Sequence, residues 1–274
     1  MRNRLLIGTT LALMAGWLLP VLTRVAAQAP ASPAYRAPRT PDGKPNLNGI
    51  WQAINTANYD IEAHSAAPSP VLDLGAAGAV PAGLGVVDGG TLPYTPEALK
   101  KRNENRANWL KLDPEVKCYL PGVPRATYMP YPFQIIQSQK HVMLVHEYAG
   151  AVRTIYMADQ TEAPADSWMG WSNGRWEGES LVVDTKGFND LSWFDRSGNF
   201  HSDALHVVER FTARSADTLN YEVTVEDPKV FTRPWKMSMP LYRRVEANAQ
   251  ILEFRCVEFV EDLLYGHLRK QPSQ

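Results

Sequence analysis

The densest run of reactive side chains lies between Trp193 and Glu209, where Asp195, His201, Asp203, His206 and Glu209 follow one another through a loop and into a strand. Histidine titrates near neutrality, so His201 is the natural general base, with Asp195 or Glu209 to orient it. These three are the candidate catalytic residues. The alternative is local: His201 and Asp203 hold a turn, and Trp193 packs on the end of the sheet. A metal centre built from His201, His206 and Glu209, with His141 or His146, is disfavoured. There is no HExxH or CxxC spacing, and His206 and Glu209 fall on opposite faces of one strand. No metal is expected, and no cofactor, since no Gly-rich phosphate loop or c-type haem motif occurs. There is no Gly-x-Ser-x-Gly elbow, and Ser172, between Gly170 and Gly174, reads as part of a hairpin turn.

From Gln134 onward the chain alternates short apolar-periodic runs with turn residues. Strands are expected at 134–137, 141–148, 152–158, 169–176, 180–185, 204–213, 218–226, 234–244 and 250–259. That spacing indicates a mainly β fold, an antiparallel barrel or sandwich. Alternate residues share a face, so Leu205, Val207, Phe211 and Ala213 take Glu209 inward with them. Glu258 continues the inward face of Leu252, Phe254 and Cys256. On 141–148 either choice of face turns an ionisable residue inward, Glu147 or His146. A buried carboxylate needs a partner, and Arg125, Arg153, Arg175 and Arg255 can supply the guanidinium. Such a cluster is either an ion-pair network at a barrel mouth or the polar base of a ligand cavity. The ligand-binding candidates are Trp193, Arg125, Tyr131, Phe133, Glu147, Arg153 and Glu258.

The remaining segments frame this half. Residues 28–48 are rich in Pro and Ala and read as an extended leader, with ordered structure beginning at Gly49. Residues 64–93 form an Ala/Gly/Pro-rich loop whose Val71, Leu72, Leu74, Leu84 and Val86 should lie partly against the body. Thr95 as N-cap, Pro96 in the first turn and Glu97 at the dipole's positive end start a surface helix over 95–112, stopped by Asp113-Pro114. Prolines 121, 124, 130 and 132 exclude helix and central strand over 118–134, leaving an irregular aromatic wall.

Arg2 and Arg4, the apolar run from Leu5 to Leu22 and the small residues Val25-Ala26-Ala27 have the plan of a secretory signal over 1–27, with a retained anchor as the alternative. Residues 49–274 then form a single β-rich domain. Lys and Arg total 28 against 29 Asp and Glu, a formal charge of -1, which argues against a basic nucleic-acid binder. A hydrophobic content of 45% excludes a disordered chain. Export would place Cys118 and Cys256 in an oxidising compartment, where a disulfide is expected.

The motifs Pro41-Asp42-Gly43-Lys44-Pro45-Asn46-Leu47-Asn48-Gly49-Ile50-Trp51, Pro121-Gly122-Val123-Pro124-Arg125, Gly174-Arg175-Trp176-Glu177-Gly178-Glu179-Ser180-Leu181-Val182-Val183-Asp184-Thr185 and Asp227-Pro228 resemble a large family of exported proteins from environmental bacteria. That family usually has Asp-Thr at Glu179-Ser180, and the resemblance implies kinship without an activity. Gly49-Ile50-Trp51 is also similar to the first-strand Gly-x-Trp of lipocalins. There the Trp closes the barrel floor and stacks on a basic side chain, which implies a calycin-like barrel here.

The sequence therefore points to a periplasmic or secreted barrel that binds a small lipophilic or aromatic molecule in an internal pocket. It points to no nucleic-acid partner and no stable membrane insertion after signal cleavage. The alternatives are a cofactor-independent acid/base enzyme (isomerase, cyclase or hydrolase) on the same barrel, or a structural envelope protein.

Overall fold

The computed structural model describes residues 35–69, 75–76 and 79–255. The signal segment 1–27, Val71, Leu72, Leu74, Cys256 and Glu258 lie outside them. The fold is a closed nine-stranded barrel in sequence order. Its strands are β1 Gly49–Ala53, β2 Phe133–Gln137, β3 His141–His146, β4 Val152–Tyr156, β5 Trp171–Glu177, β6 Ser180–Lys186, β7 His206–Ala213, β8 Thr218–Glu226 and β9 Trp235–Arg243. The mainly β expectation holds, with one difference: β4 and β5 pair in parallel. Every antiparallel neighbour reverses direction, so a ring of nine strands cannot close on antiparallel pairs alone. The 157–170 linker meets this requirement by returning the chain from one barrel end to the other without adding a rung. The strand expected over 250–259 does not form in its described part, 250–255.

One end, here the floor, carries the β2–β3, β5–β6 and β7–β8 turns. Residues 35–48 pack across it rather than forming a free leader, because Leu47 and Ala37 supply apolar anchors that become buried. Trp51 donates its indole N–H to the Leu47 carbonyl at 2.9 Å. The Arg243 guanidinium stacks 4.1 Å from the Trp51 ring centroid, the arrangement implied by the lipocalin resemblance. Gly49, at φ +146°, is required there, since a Cβ would lie 2.0 Å from Arg243 Nη1.

The opposite end, the mouth, is capped by the described residues of 54–132, by 187–205 and by 227–234. Thr95 caps α1 (Pro96–Ala107) by accepting from Ala98 N at 3.2 Å. Asn108 then breaks the expected 95–112 helix, and α2 (Trp109–Leu112) follows. α1 also differs from a plain surface helix in burying Arg102 and Asn105. Within the proline-rich segment one helical turn forms after all, α3 (Arg125–Tyr128), because Pro124 and Pro130 bracket it without entering it. In the 64–93 loop Leu84 projects fully into solvent, whereas Val86 packs on the core. Val86 and Asp88 complete the edge of β9 that the short β1 leaves open, through Ser238 N→Val86 O at 3.1 Å and Asp88 N→Lys236 O at 2.8 Å.

Inside the barrel, Leu144, Ile155, Val183, Val207, Phe211, Tyr221 and Val223 are at most 1% exposed. A void able to admit water would leave accessible surface on such side chains, so the interior is packed along them. No helix of the described residues is long and apolar enough to cross a membrane.

Candidate functional site

Strand parity places Glu209 inside, as expected, and Arg153 is its partner. Nη1 of Arg153 donates to Glu209 Oε1 at 3.0 Å, and Nη2 to Oε2. The same guanidinium donates to Ser172 Oγ at 2.8 Å and Thr185 Oγ1 at 2.7 Å, while the Tyr221 hydroxyl donates to Glu209 Oε1 at 2.7 Å. Ser172 is therefore an interior strand residue, correcting its reading as a turn. The cluster joins β4, β5, β6, β7 and β8. On β3 the inward set is Val142, Leu144 and His146, so Glu147 lies on the other parity and accepts from Leu252 N at 3.0 Å. His146 packs against Phe133 in a tilted arrangement, with 5.3 Å between ring centroids. Burial and the nearby Arg153 charge push the His146 pKa down to about 3, leaving the ring neutral.

A second cluster fills the mouth. The buried Arg125 guanidinium donates to both Asp113 oxygens at 2.9 and 3.0 Å, to Glu115 Oε2 at 2.7 Å, and from Nε to Asn58 Oδ1 at 2.8 Å. Arg196 takes Glu115 from the other side with two bonds of 2.8 and 2.7 Å. Burial alone would raise the Glu115 pKa, but Arg196 and Arg125 together hold it below the ordinary value. Asp195 accepts from Ile61 N at 2.9 Å, Ser197 N at 2.9 Å and Asn199 Nδ2 at 2.6 Å. Asn199 also reaches Asp60, and Arg102 contacts Asp60 at 3.9 Å and Glu62 at 3.1 Å. Among the described residues, Asp60, Glu62, Asp113, Glu115 and Asp195 thus share Arg102, Arg125 and Arg196. The surplus of acid falls on Asp195, whose pKa is pushed up to about 7 by burial and then by Asp60.

His201 belongs to a third group. Ser192 Oγ lies 2.7 Å from His201 Nε2, and His201 Nδ1 lies 2.9 Å from the Ser202 carbonyl. A carbonyl can only accept, so Nδ1 carries the proton and Nε2 accepts from the serine. Burial lowers the His201 pKa, which keeps this neutral tautomer. Asp227 fixes Ser202 through its N–H at 2.6 Å and its hydroxyl at 2.8 Å. Gly122, at φ +75°, closes over Ser192: a Cβ there would lie 2.1 Å from the serine oxygen. Both ring nitrogens of His201 are engaged, and the pair is sealed from solvent.

His201, Asp195 and Glu209 therefore sit in three separate hydrogen-bonded groups. Trp193 bridges to Phe200 within its own loop. Ser192, Asn199, Asp60, Asp113, Glu115 and Arg196 carry most of the mouth's polar structure yet have no strand parity to reveal them. Tyr221 could have been found, since it shares the inward face of Leu219, Val223 and Val225. Among the described residues no group of His, Cys, Asp and Glu is placed to hold a metal.

On the outer side of the mouth, Arg196 lies 5.2 Å from the Tyr59 ring centroid and 5.5 Å from that of Trp109. Tyr131, Tyr148 and Phe254 form a triangle with centroid separations of 5.7, 5.0 and 4.9 Å. The Tyr148 hydroxyl donates to the Glu115 carbonyl at 3.0 Å and ties this triangle to the ion pairs. Tyr59, Trp109, Tyr131, Phe254 and Arg196 all keep part of their surface in solvent. A comparison with protein-family models and with curated proteins finds no match.

Proposed function

We propose that the protein is an exported barrel that binds a small aromatic or lipophilic molecule on the rim of its mouth. The observation that carries this reading is two groups of part-exposed rings joined through Glu115: Tyr59 and Trp109 beside the Arg196 guanidinium that Glu115 neutralises, and Tyr131 with Phe254, which Tyr148 ties to the Glu115 carbonyl. Rings held by neighbours present flat apolar area at little entropic cost, which suits a planar guest. The packed interior favours the rim over a deep cup. The signal plan over 1–27, with Arg2, Arg4 and the apolar run from Leu5 to Leu22, supports export, which would favour a Cys118–Cys256 bridge, and the motif likeness to exported bacterial proteins agrees.

The test is a titration with N-phenyl-1-naphthylamine, a neutral aromatic probe whose fluorescence rises on leaving water. Saturable binding is expected. Trp109→Ala and Tyr131→Ala should each weaken it by about tenfold. Trp176→Ala, at the floor, should leave it unchanged. Non-saturable binding, or equal affinity in all three variants, would overturn the proposal.

A further inference from the structure

The floor carries two adjacent clefts that the rim does not involve. The first, about 280 Å³, includes Asp42, Lys44, Asn48, Ser138, Gln139 and Trp176 in its lining. The second, about 290 Å³, includes Tyr35, Asn46, Asn48, Asp217 and Arg243. Asn48 is common to both. Each cleft thus has one aromatic side chain that is not fully buried, Trp176 or Tyr35, one acid, one base, and amide or hydroxyl groups. Asp217 and Arg243 approach to 3.6 Å. Lys44 and Gln139 make no side-chain hydrogen bond or ion pair among the described residues, so their donors and acceptors remain available.

The walls are fixed in advance. Gln137 N donates to Asn48 Oδ1 at 2.7 Å, and Gln137 Nε2 to the Pro45 carbonyl at 3.0 Å. The Thr40–Lys44 turn is closed by Gly43 N→Thr40 O at 2.8 Å, and Arg39 is paired with Glu179 at 2.5 Å. Rigid walls lower the entropy cost of binding. The volumes fall just below the roughly 300–1,000 Å³ usual for ligand pockets, which suits a small unit in each cleft.

We infer that this floor binds a neutral oligosaccharide, one ring in each cleft on either side of Asn48. A pyranose has an apolar C–H face for an indole or phenol and a rim of hydroxyls that both donate and accept. One acid and one base in each cleft match a ligand without net charge, and the repeated chemistry matches a ligand of repeating units. Tetra-alanine represents the competing occupant, a peptide.

Calorimetric titration with cellotetraose and with chitotetraose tests this. At least one should bind saturably, and at least tenfold more tightly than its own monosaccharide. Trp176→Ala should weaken binding at least tenfold and Gln139→Ala, on an exposed turn, at least threefold. Trp109→Ala at the rim should have no effect, which separates this site from the rim. Binding of neither tetrasaccharide, binding of tetra-alanine in their place, or tetrasaccharide affinity indifferent to both Trp176→Ala and Gln139→Ala would overturn the inference.

Discussion

At the scale of single residues, Glu209 is a carboxylate with no surface exposed to solvent. All its described hydrogen bonds come from Arg153 and Tyr221, and no water-sized space adjoins it. Glu209→Ala should leave the Arg153 cation buried beside a vacancy and cost about 2–4 kcal/mol. Glu222, on the outer face of the next strand, should cost less than about 0.5 kcal/mol as Glu222→Ala. Urea denaturation of both variants checks this, and similar midpoints would show that the inward carboxylate contributes nothing particular. Asp195 makes a pH-dependent prediction. Its folded pKa, about 7, lies above the ordinary 3.8, so the folded state binds its proton more tightly than the unfolded chain does. Stability from this group is complete below about pH 4 and is lost as pH rises through 7. Asp60→Asn removes the neighbouring charge while keeping an oxygen to accept from Glu62 N. It should therefore raise the unfolding free energy measured by urea denaturation at pH 8, by about 1 kcal/mol, relative to its effect at pH 5. The same shift at both pH values would mean that Asp60 and Asp195 do not repel.

At the scale of elements, the β4–β5 seam is the weak join of the ring. It pairs at Ile155–Ser172 and Tyr156–Asn173 only, whereas β7 and β8 pair along their whole length. Side chains reinforce it: Arg153 reaches across to Ser172, and Asn173 Nδ2 donates to the Thr161 carbonyl of the linker at 3.0 Å. Ser172→Ala should therefore speed hydrogen exchange of the β4 and β5 amides by about fivefold or more while leaving β7–β8 amides unchanged. Uniform acceleration would indicate global destabilisation instead. This seam also explains what the sequence concealed. The parity of Val207, Glu209 and Phe211 was plain, because one residue in two is buried. The flanking glycines disguised Ser172 as a turn. Gly174 is small for another reason: a Cβ there would lie 2.5 Å from both the Ile155 side chain and the Met157 sulfur, where the linker departs. Likewise α3 was hidden because prolines exclude long helices, not single turns.

At the scale of the whole molecule, strand composition and turn spacing are enough to indicate a mainly β barrel or sandwich, but not to choose between them or to say which loops carry the polar groups. The mouth network depends on tertiary meetings such as Asn58 with Arg125 and Glu115 with Arg196, between residues 67 and 81 positions apart. Nothing periodic marks them. The floor was misjudged for a related reason. The Pro- and Ala-rich 28–48 stretch reads as an extended leader, whereas in its described part, 35–48, Ala37 and Leu47 are buried at the floor.

The odd strand count has an architectural corollary. The 157–170 linker runs the height of the barrel in the sense that a strand antiparallel to both β4 and β5 would take. The ring is thus equivalent to a ten-strand meander with one stave lifted out and the gap drawn shut. Only at that place can a single stave be gained without reversing its neighbours, and restoring it would give a wider, wholly antiparallel barrel. Since girth grows with the number of strands, the lifted stave keeps the interior narrow enough for side chains to fill. In this architecture, capacity is a property of the linker.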